Sequence, residues 1–182
     1  MIDITRAMEI SDYDCQERRD ELTWLADQAS RRTRIAEVGS YKGATTRAMA
    51  DNTAGRVVCV DTFLGSVGES EMAKILADHW EGWLRGEFLR NTEDLKNVDL
   101  IEMDSIGAAA LLRRDGTKFD MIFLDASHDY DSLAADLRAW LPLLTPGGLL
   151  CGHDRQWDGV AKAINELVPN HRVGVGAIWY RP

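Results

Sequence analysis

The side chains best able to do chemistry gather in two short stretches, Asp125-Ala126-Ser127-His128-Asp129-Tyr130 and His153-Asp154. Carboxylate oxygens suit hard divalent cations, and Mg²⁺ characteristically keeps waters beside one or two carboxylates. Asp125 and Asp154, if they end neighbouring strands, can share one ion. His128 follows within one turn, and imidazole is the group best suited to take a hydroxyl proton near neutral pH. The competing reading is architectural: Ser127 or Asp129 caps the next helix, and His128 and His153 stay on the rim. His79 and His171 lack companions of this kind and read as structural or surface residues.

A second informative stretch runs Arg34-Ile-Ala-Glu37-Val-Gly39-Ser-Tyr41-Lys42-Gly43-Ala-Thr45-Thr46. A short apolar run ends in an acid, turns on a glycine and enters a helix, which is where open α/β sheets hold nucleotide-like molecules. Gly39 permits the tight turn and Gly43 the close approach of backbone to a ligand, because neither carries a Cβ. A P-loop requires its lysine after the second glycine, whereas Lys42 precedes Gly43. A dinucleotide fingerprint requires G-x-G-x-x-G, and here Tyr41 stands at the second glycine. The pattern acid-x-Gly-x-x-x-Gly fits from Glu37 to Gly43. A tight turn without any ligand is the plain alternative.

Asp61 ends the next apolar run, about twenty residues past the glycine turn, where a carboxylate accepts hydrogen bonds from a ribose diol. An N-cap or a solvated loop acid is the alternative for it. Asp104-Ser105 would lie near the base of a nucleoside across the switch point, or Asp104 caps a helix starting near Ile106. Trp80 and Trp83, spaced i,i+3 with Phe88 nearby, read more simply as a helix packing on the core than as a pocket wall.

These residues need a frame. Helical spacing of Leu22, Leu25, Ala26 and Ala29 predicts an amphipathic helix over about 15–32. Strands follow at about 34–38, 56–61, 100–104 and 119–125, three of them ending in an acid and the first carrying Glu37 near its end. Helices are expected at about 43–51, 129–144 and 157–168. Pro146-Gly147-Gly148 turns into a strand over 149–154, and strand-like pieces lie at 172–175 and 177–180. Alternating strands and helices give a mainly parallel, doubly wound sheet covered on both faces. The acids Glu37, Asp61, Asp104, Asp125 and Asp154 would then converge on its carboxyl rim, needing a cation or hydrogen-bond donors.

Composition removes several classes of function. At 182 residues the chain is most simply one domain over 1–182. No run approaches the ~20 apolar residues of a membrane span, and the N-terminus lacks a charged-then-apolar leader pattern. The net charge of −9 argues against nucleic acid, whose phosphates need a basic face. Cys15, Cys59 and Cys151 are too scattered for a disulfide framework, so a reducing cytoplasm is expected.

Taken together the segments resemble the class I S-adenosylmethionine-dependent methyltransferases. Within them the chain is similar to the small-molecule O-methyltransferases, both catechol-type and macrolide- or cephalosporin-associated. The residues that carry the likeness are Glu37-Val-Gly-Ser-Tyr-Lys-Gly43, Val60-Asp61-Thr62-Phe63 and Phe119-Asp-Met-Ile-Phe-Leu-Asp125. His128-Asp-Tyr130, Asp136-Leu137, Pro146-Gly-Gly148 and Gly152-His-Asp154 complete the set. The resemblance implies a Rossmann-like fold with an antiparallel strand near the C-terminus. It implies S-adenosylmethionine as cofactor, with Glu37, Gly39, Tyr41, Gly43 and Thr45 at its methionine end. Asp61 and Thr62 would serve the ribose, and Asp104 and Ser105 the adenine. Asp125, His153 and Asp154 match metal positions for Mg²⁺ or another divalent cation. His128 falls where catechol-type members carry a lysine base, and His153 where some members carry a carboxylate.

The expected activity is methyl transfer to a hydroxyl of a small molecule, a vicinal diol such as a catechol or sugar. A bound cation would lower the hydroxyl pKa and fix two acceptor oxygens. The only sizeable insertion, about Leu64–Asn97, either closes over the site or forms the contact of a homodimer. Two rivals make different demands. A nicotinamide-dependent oxidoreductase needs the missing G-x-G-x-x-G. A non-catalytic cofactor-binding subunit would bind S-adenosylmethionine with no cation requirement and no turnover.

Overall fold

The computed structural model describes residues 1–65 and 70–182. Its sheet grows from the apolar runs that end near acids. These are β1 (Arg34–Val38), β2 (Arg56–Asp61), β3 (Val98–Glu102), β4 (Phe119–Leu124) and β5 (Leu144–Gly152). They pair in parallel in the order β3-β2-β1-β4-β5, so the direction of growth reverses between β1 and β4. That reversal opens a crevice at the carboxyl ends of β1 and β4, the switch point of a doubly wound sheet. Two short C-terminal strands, β6 (Arg172–Val173) and β7 (Trp179–Arg181), complete the order as β5-β7-β6. Strand β7 runs antiparallel to both neighbours, as the resemblance implies.

Period-two alternation sends each strand's side chains to opposite faces. Ala36, Val38, Val60, Ile122, Leu124 and Leu150 form one core with helices α6 (Ser105–Arg114), α7 (Tyr130–Trp140) and α8 (Asp158–Leu167). Ile35, Val57, Cys59, Met121, Phe123 and Cys151 form the other. That second core is covered by α2 (Gln16–Ala29), α3 (Ala44–Ala50) and α5 (Trp83–Thr92), and α1 (Thr5–Ile10) adds a small cluster outside α2 and α3. Fully burying a Leu, Ile or Phe contributes about 1.5–3 kcal/mol, so both faces anchor the strand ends firmly. Among the described residues no helix is long and apolar enough to cross a membrane.

Several elements depart from the sequence spacing. Strand β3 ends at Glu102 because Asp104 instead caps α6, its carboxylate accepting the Gly107 N–H at 2.9 Å. The helix expected over 129–144 stops at Trp140 and tightens into a 3₁₀ turn at Leu141–Leu143, where Pro142 cannot continue an α-helix. Strand β5 already pairs at Leu144, and a register irregularity between Phe119 and Met121 accommodates Pro146. The 64–97 insertion holds α5 and α4 (Ser70–Ala77), with 66–69 outside the described residues. Trp80 lies outside either helix and is 64% exposed, while Leu84 and Phe88 carry α5 onto the core. Trp80 and Trp83 therefore share no helix face.

Candidate functional site

Both glycines of the loop after β1 have positive φ, 87° at Gly39 and 91° at Gly43, which side chains rarely adopt. A Cβ on Gly39 would stand 2.1 Å from the Asp125 carbonyl oxygen, so the loop lies directly on the first residue after β4. Gly39 N–H donates to the Val60 carbonyl and Asp125 N–H to the Val38 carbonyl, which continues the ladder to the rim. Gly43 opens α3, and a Cβ there would press on Phe88 and Thr92 of α5 at 3.3 Å. Its smallness serves helix packing and backbone conformation, whereas its spacing had suggested room for a ligand.

Asp61 turns its carboxylate back into this loop. Oδ2 accepts the N–H groups of Ser40 and Tyr41 at 2.8 and 2.9 Å, and Oδ1 accepts that of Phe63 at 2.7 Å. Tyr41 and Phe63 both have left-handed backbones, with φ of 50° and 56°, so Asp61 holds two costly conformations in place. A carboxylate has about four acceptor positions, so among the described residues these bonds leave Asp61 one more. Thr62 Oγ1 accepts the Leu64 N–H at 3.3 Å. Lys42 is tied to Asp12 at 2.6 Å and lies 5.2 Å from the ring centres of both Tyr41 and Trp83.

Glu37 does not reach the rim. It is fully buried, and its Oε2 accepts the Ser40 hydroxyl at 2.8 Å and that of Thr46. Burial raises its pKa against the opposing hydroxyls of Thr45, Thr46 and Ser40. Among the described residues its Oε1 makes no hydrogen bond of ordinary geometry. A buried acceptor left open this way fits a site for an ammonium group. Asp104 is occupied as a helix cap, while Ser105 Oγ donates to Asp136 at 2.5 Å and accepts from Trp140 Nε1 at 2.8 Å.

Beyond β4 and β5 the remaining acids meet. One donor atom each from Asp125, His128 and Asp154 come within 4.8 Å of one another. His128 Nε2 lies 2.7 Å from Asp154 Oδ2, and its ring stacks on the exposed Trp157 with centres 5.1 Å apart. His153 flanks this trio, with Nδ1 3.2 Å from Asp154 Oδ2 and 3.8 Å from Asp125 Oδ1. Its Nε2 points away, 3.1 Å from Glu21 of α2. Asp154 takes a left-handed backbone at φ 59°, which aspartate tolerates better than most residues.

The electrostatics separate the two aspartates. Burial, reinforced by the Asp154 charge, pushes Asp125 up to about 7, although His153 opposes it. Burial would raise Asp154 as well, but the His128 and His153 rings, 2.7 and 3.2 Å from its Oδ2, hold it far below the carboxylate range. Burial also disfavours charge on His153, yet Asp125, Asp154 and Glu21 together lift it to about 10. The pocket thus favours positive charge between its acids. Two carboxylates and an imidazole suit a divalent cation, and the imidazole admits Mn²⁺, Fe²⁺ or Zn²⁺ beside Mg²⁺.

Sequence reasoning missed two contributors. Glu21 left a weak signal, an acid bordering the apolar stripe Leu22-Leu25-Ala26-Ala29, and it is buried with them. Trp157 left none, because its place depends on Gly159. A Cβ on Gly159 would come 2.5 Å from the His128 carbonyl oxygen, so only a bare backbone lets the start of α8 lie against that segment.

Comparison with known proteins agrees with this fold. A family model described as "Methyltransferase domain" matches residues 36–155, the span from β1 to just past Asp154. No curated protein sequence matches the chain. Among solved structures, CalS11, a calicheamicin methyltransferase, superposes with a TM-score of 0.65 at 17% identity, over 97% of this chain and 88% of that one. The SAH-bound methyltransferase PaMTH1 of Podospora anserina gives 0.62 at 17%, over 97% and 86%. The N-methyltransferase NodS of Bradyrhizobium japonicum WM9 gives 0.60 at 15%, over 92% and 95%. At such identities the likeness is one of fold.

Proposed function

The chain belongs to the methyltransferase-domain family, and on that premise we propose that it transfers the methyl group of S-adenosylmethionine to a hydroxyl oxygen of a small molecule. The observation that carries this reading is the Asp125–His128–Asp154 group standing directly beside the Gly39 loop. Cofactor loop and acid cluster share a boundary, since Gly39 touches the backbone of Asp125. Fold alone would not choose oxygen over nitrogen, as the likeness to an N-methyltransferase makes plain. The donor set favours oxygen, because a divalent cation there would lower an acceptor hydroxyl's pKa and fix neighbouring oxygens. A vicinal diol, on a catechol or a sugar, fits that template.

The chain's own residues supply the rest. Glu37 and the loop backbone around Tyr41 and Thr45 receive the methionine end, and Asp61 keeps the loop closed while offering its remaining acceptor to the ribose. Asp125 and Asp154 would hold the cation with His153 beside them, which leaves the His128 ring for the proton. His128 takes the proton from the acceptor hydroxyl as the O–CH₃ bond forms and the S–CH₃ bond breaks. Asp154, 2.7 Å from that ring, stabilises the resulting imidazolium, the role a carboxylate plays behind a histidine base. The sulfonium already activates the methyl group, so alignment and deprotonation are what remain for the protein.

Calorimetric titration with S-adenosylmethionine, with NAD as control, tests the reading. Saturable binding of the former alone is expected, followed by turnover of catechol or sugar diols that responds to divalent cation. Absence of S-adenosylmethionine binding by the folded protein would overturn it.

A further inference from the structure

Glu21 lies outside the family-matched span, and so do the residues that admit it. It is 4% exposed on α2, among apolar neighbours, where an unpaired carboxylate costs several kcal/mol. Three contacts compensate. Oε1 accepts the Ala177 N–H at 2.9 Å and lies 3.1 Å from His153 Nε2, an ion-pair contact whose angle falls short of a hydrogen bond, and Oε2 lies 3.5 Å from Arg18. Gly176 makes the space, since a Cβ there would stand 2.3 Å from Oε1, and its φ of +55° suits glycine. His153 is gripped through its main chain as well, its N–H donating to the Leu124 carbonyl and its carbonyl accepting Trp179 Nε1–H. The ring so held turns Nδ1 toward both Asp154 and Asp125.

We propose that Glu21 is a positioning residue of the acid–imidazole site, acting through His153 to fix the oxygens of Asp125 and Asp154. The inference rests on the cation reading given above and adds to it a carboxylate from the N-terminal helix. Carboxylates behind a site's histidine fix the ring's orientation, and losing such an outer partner typically weakens metal binding 10–100-fold. Glu21 stands one group further back, which sets the expected effect at the lower end.

The test is Mn²⁺ binding to the full chain, followed by electron paramagnetic resonance and calorimetry. Glu21→Gln still accepts the Ala177 N–H but gives up its charge toward His153. It should bind Mn²⁺ about tenfold more weakly, with S-adenosylmethionine affinity and melting temperature near wild type. In a His153→Asn background the same change should have no further effect. Glu21→Asp, which keeps the charge but retracts it from the ring, should show the same loss and serves where Gln is not tolerated. Mn²⁺ affinity within about twofold of wild type in Glu21→Gln, or an undiminished loss in the His153→Asn background, would overturn the proposal. Failure of the wild-type chain to take up Mn²⁺ would instead remove the cation from the proposed function, and this inference with it.

Discussion

Asp125 and Asp154 share a side chain but not an environment. Burial pushes the first up to about 7, while two imidazoles hold the second far below its ordinary range. Groups driven apart in this way divide roles at a site. With the proposed cation, Asp125→Asn should lose metal uptake and methyl transfer together while S-adenosylmethionine still titrates, because the loop contacts Asp125 through its backbone. Retention of turnover in that variant would remove the metal from the mechanism. His128→Ala should slow transfer by about 10²–10⁴-fold, the usual worth of a positioned general base, measured under saturating S-adenosylmethionine.

At the scale of elements, the loop after β1 is built against β4 rather than around empty space. Gly39→Ala would force a Cβ to 2.1 Å from the Asp125 carbonyl at a positive φ, displacing the loop at a cost above about 2 kcal/mol. Gly43→Ala meets only side-chain carbons at 3.3 Å and should cost about 1–2 kcal/mol, so urea unfolding should rank the two in that order. Both glycines were legible in the sequence, though the structural reason for Gly43 was not. Strands β1, β2 and β4 were legible too, being apolar runs that stop at or beside an acid. Helix α1, six residues without a side-chain cap, and α5, which opens on a left-handed Gly82, carried no start signal to read. Asp125, His128, His153 and Asp154 were legible because they fall in two short stretches at strand ends. The likeness pointed to His153 as the imidazole of the metal set, whereas the structure groups His128 with the two aspartates. Glu21 was not legible, since the Ala177 N–H that holds it is 156 residues away.

At the scale of the molecule, α6 and α7 are joined by a buried polar link that makes stability depend on pH. Asp136 accepts the Ser105 hydroxyl, which in turn accepts Trp140 Nε1–H, where α6 meets α7. Burial outweighs that hydrogen bond and raises the Asp136 carboxyl from 3.8 to about 6. The folded chain therefore holds this proton more tightly than the unfolded chain does. Its contribution is fully present below about pH 4 and is lost as pH rises to 6. Each pKa unit is worth about 1.4 kcal/mol, so the loss is on the order of 2–3 kcal/mol. Asp136→Asn keeps an acceptor for Ser105 but has no charge to bury. Chemical unfolding at pH 4 and pH 8 should then show the variant gaining on wild type by about that amount at the higher pH. Comparing the two chains cancels other buried carboxyls that titrate nearby, Asp125 and Glu37 among them. An equal pH response in both chains would mean that water reaches Asp136 and that the α6–α7 link is open, not buried.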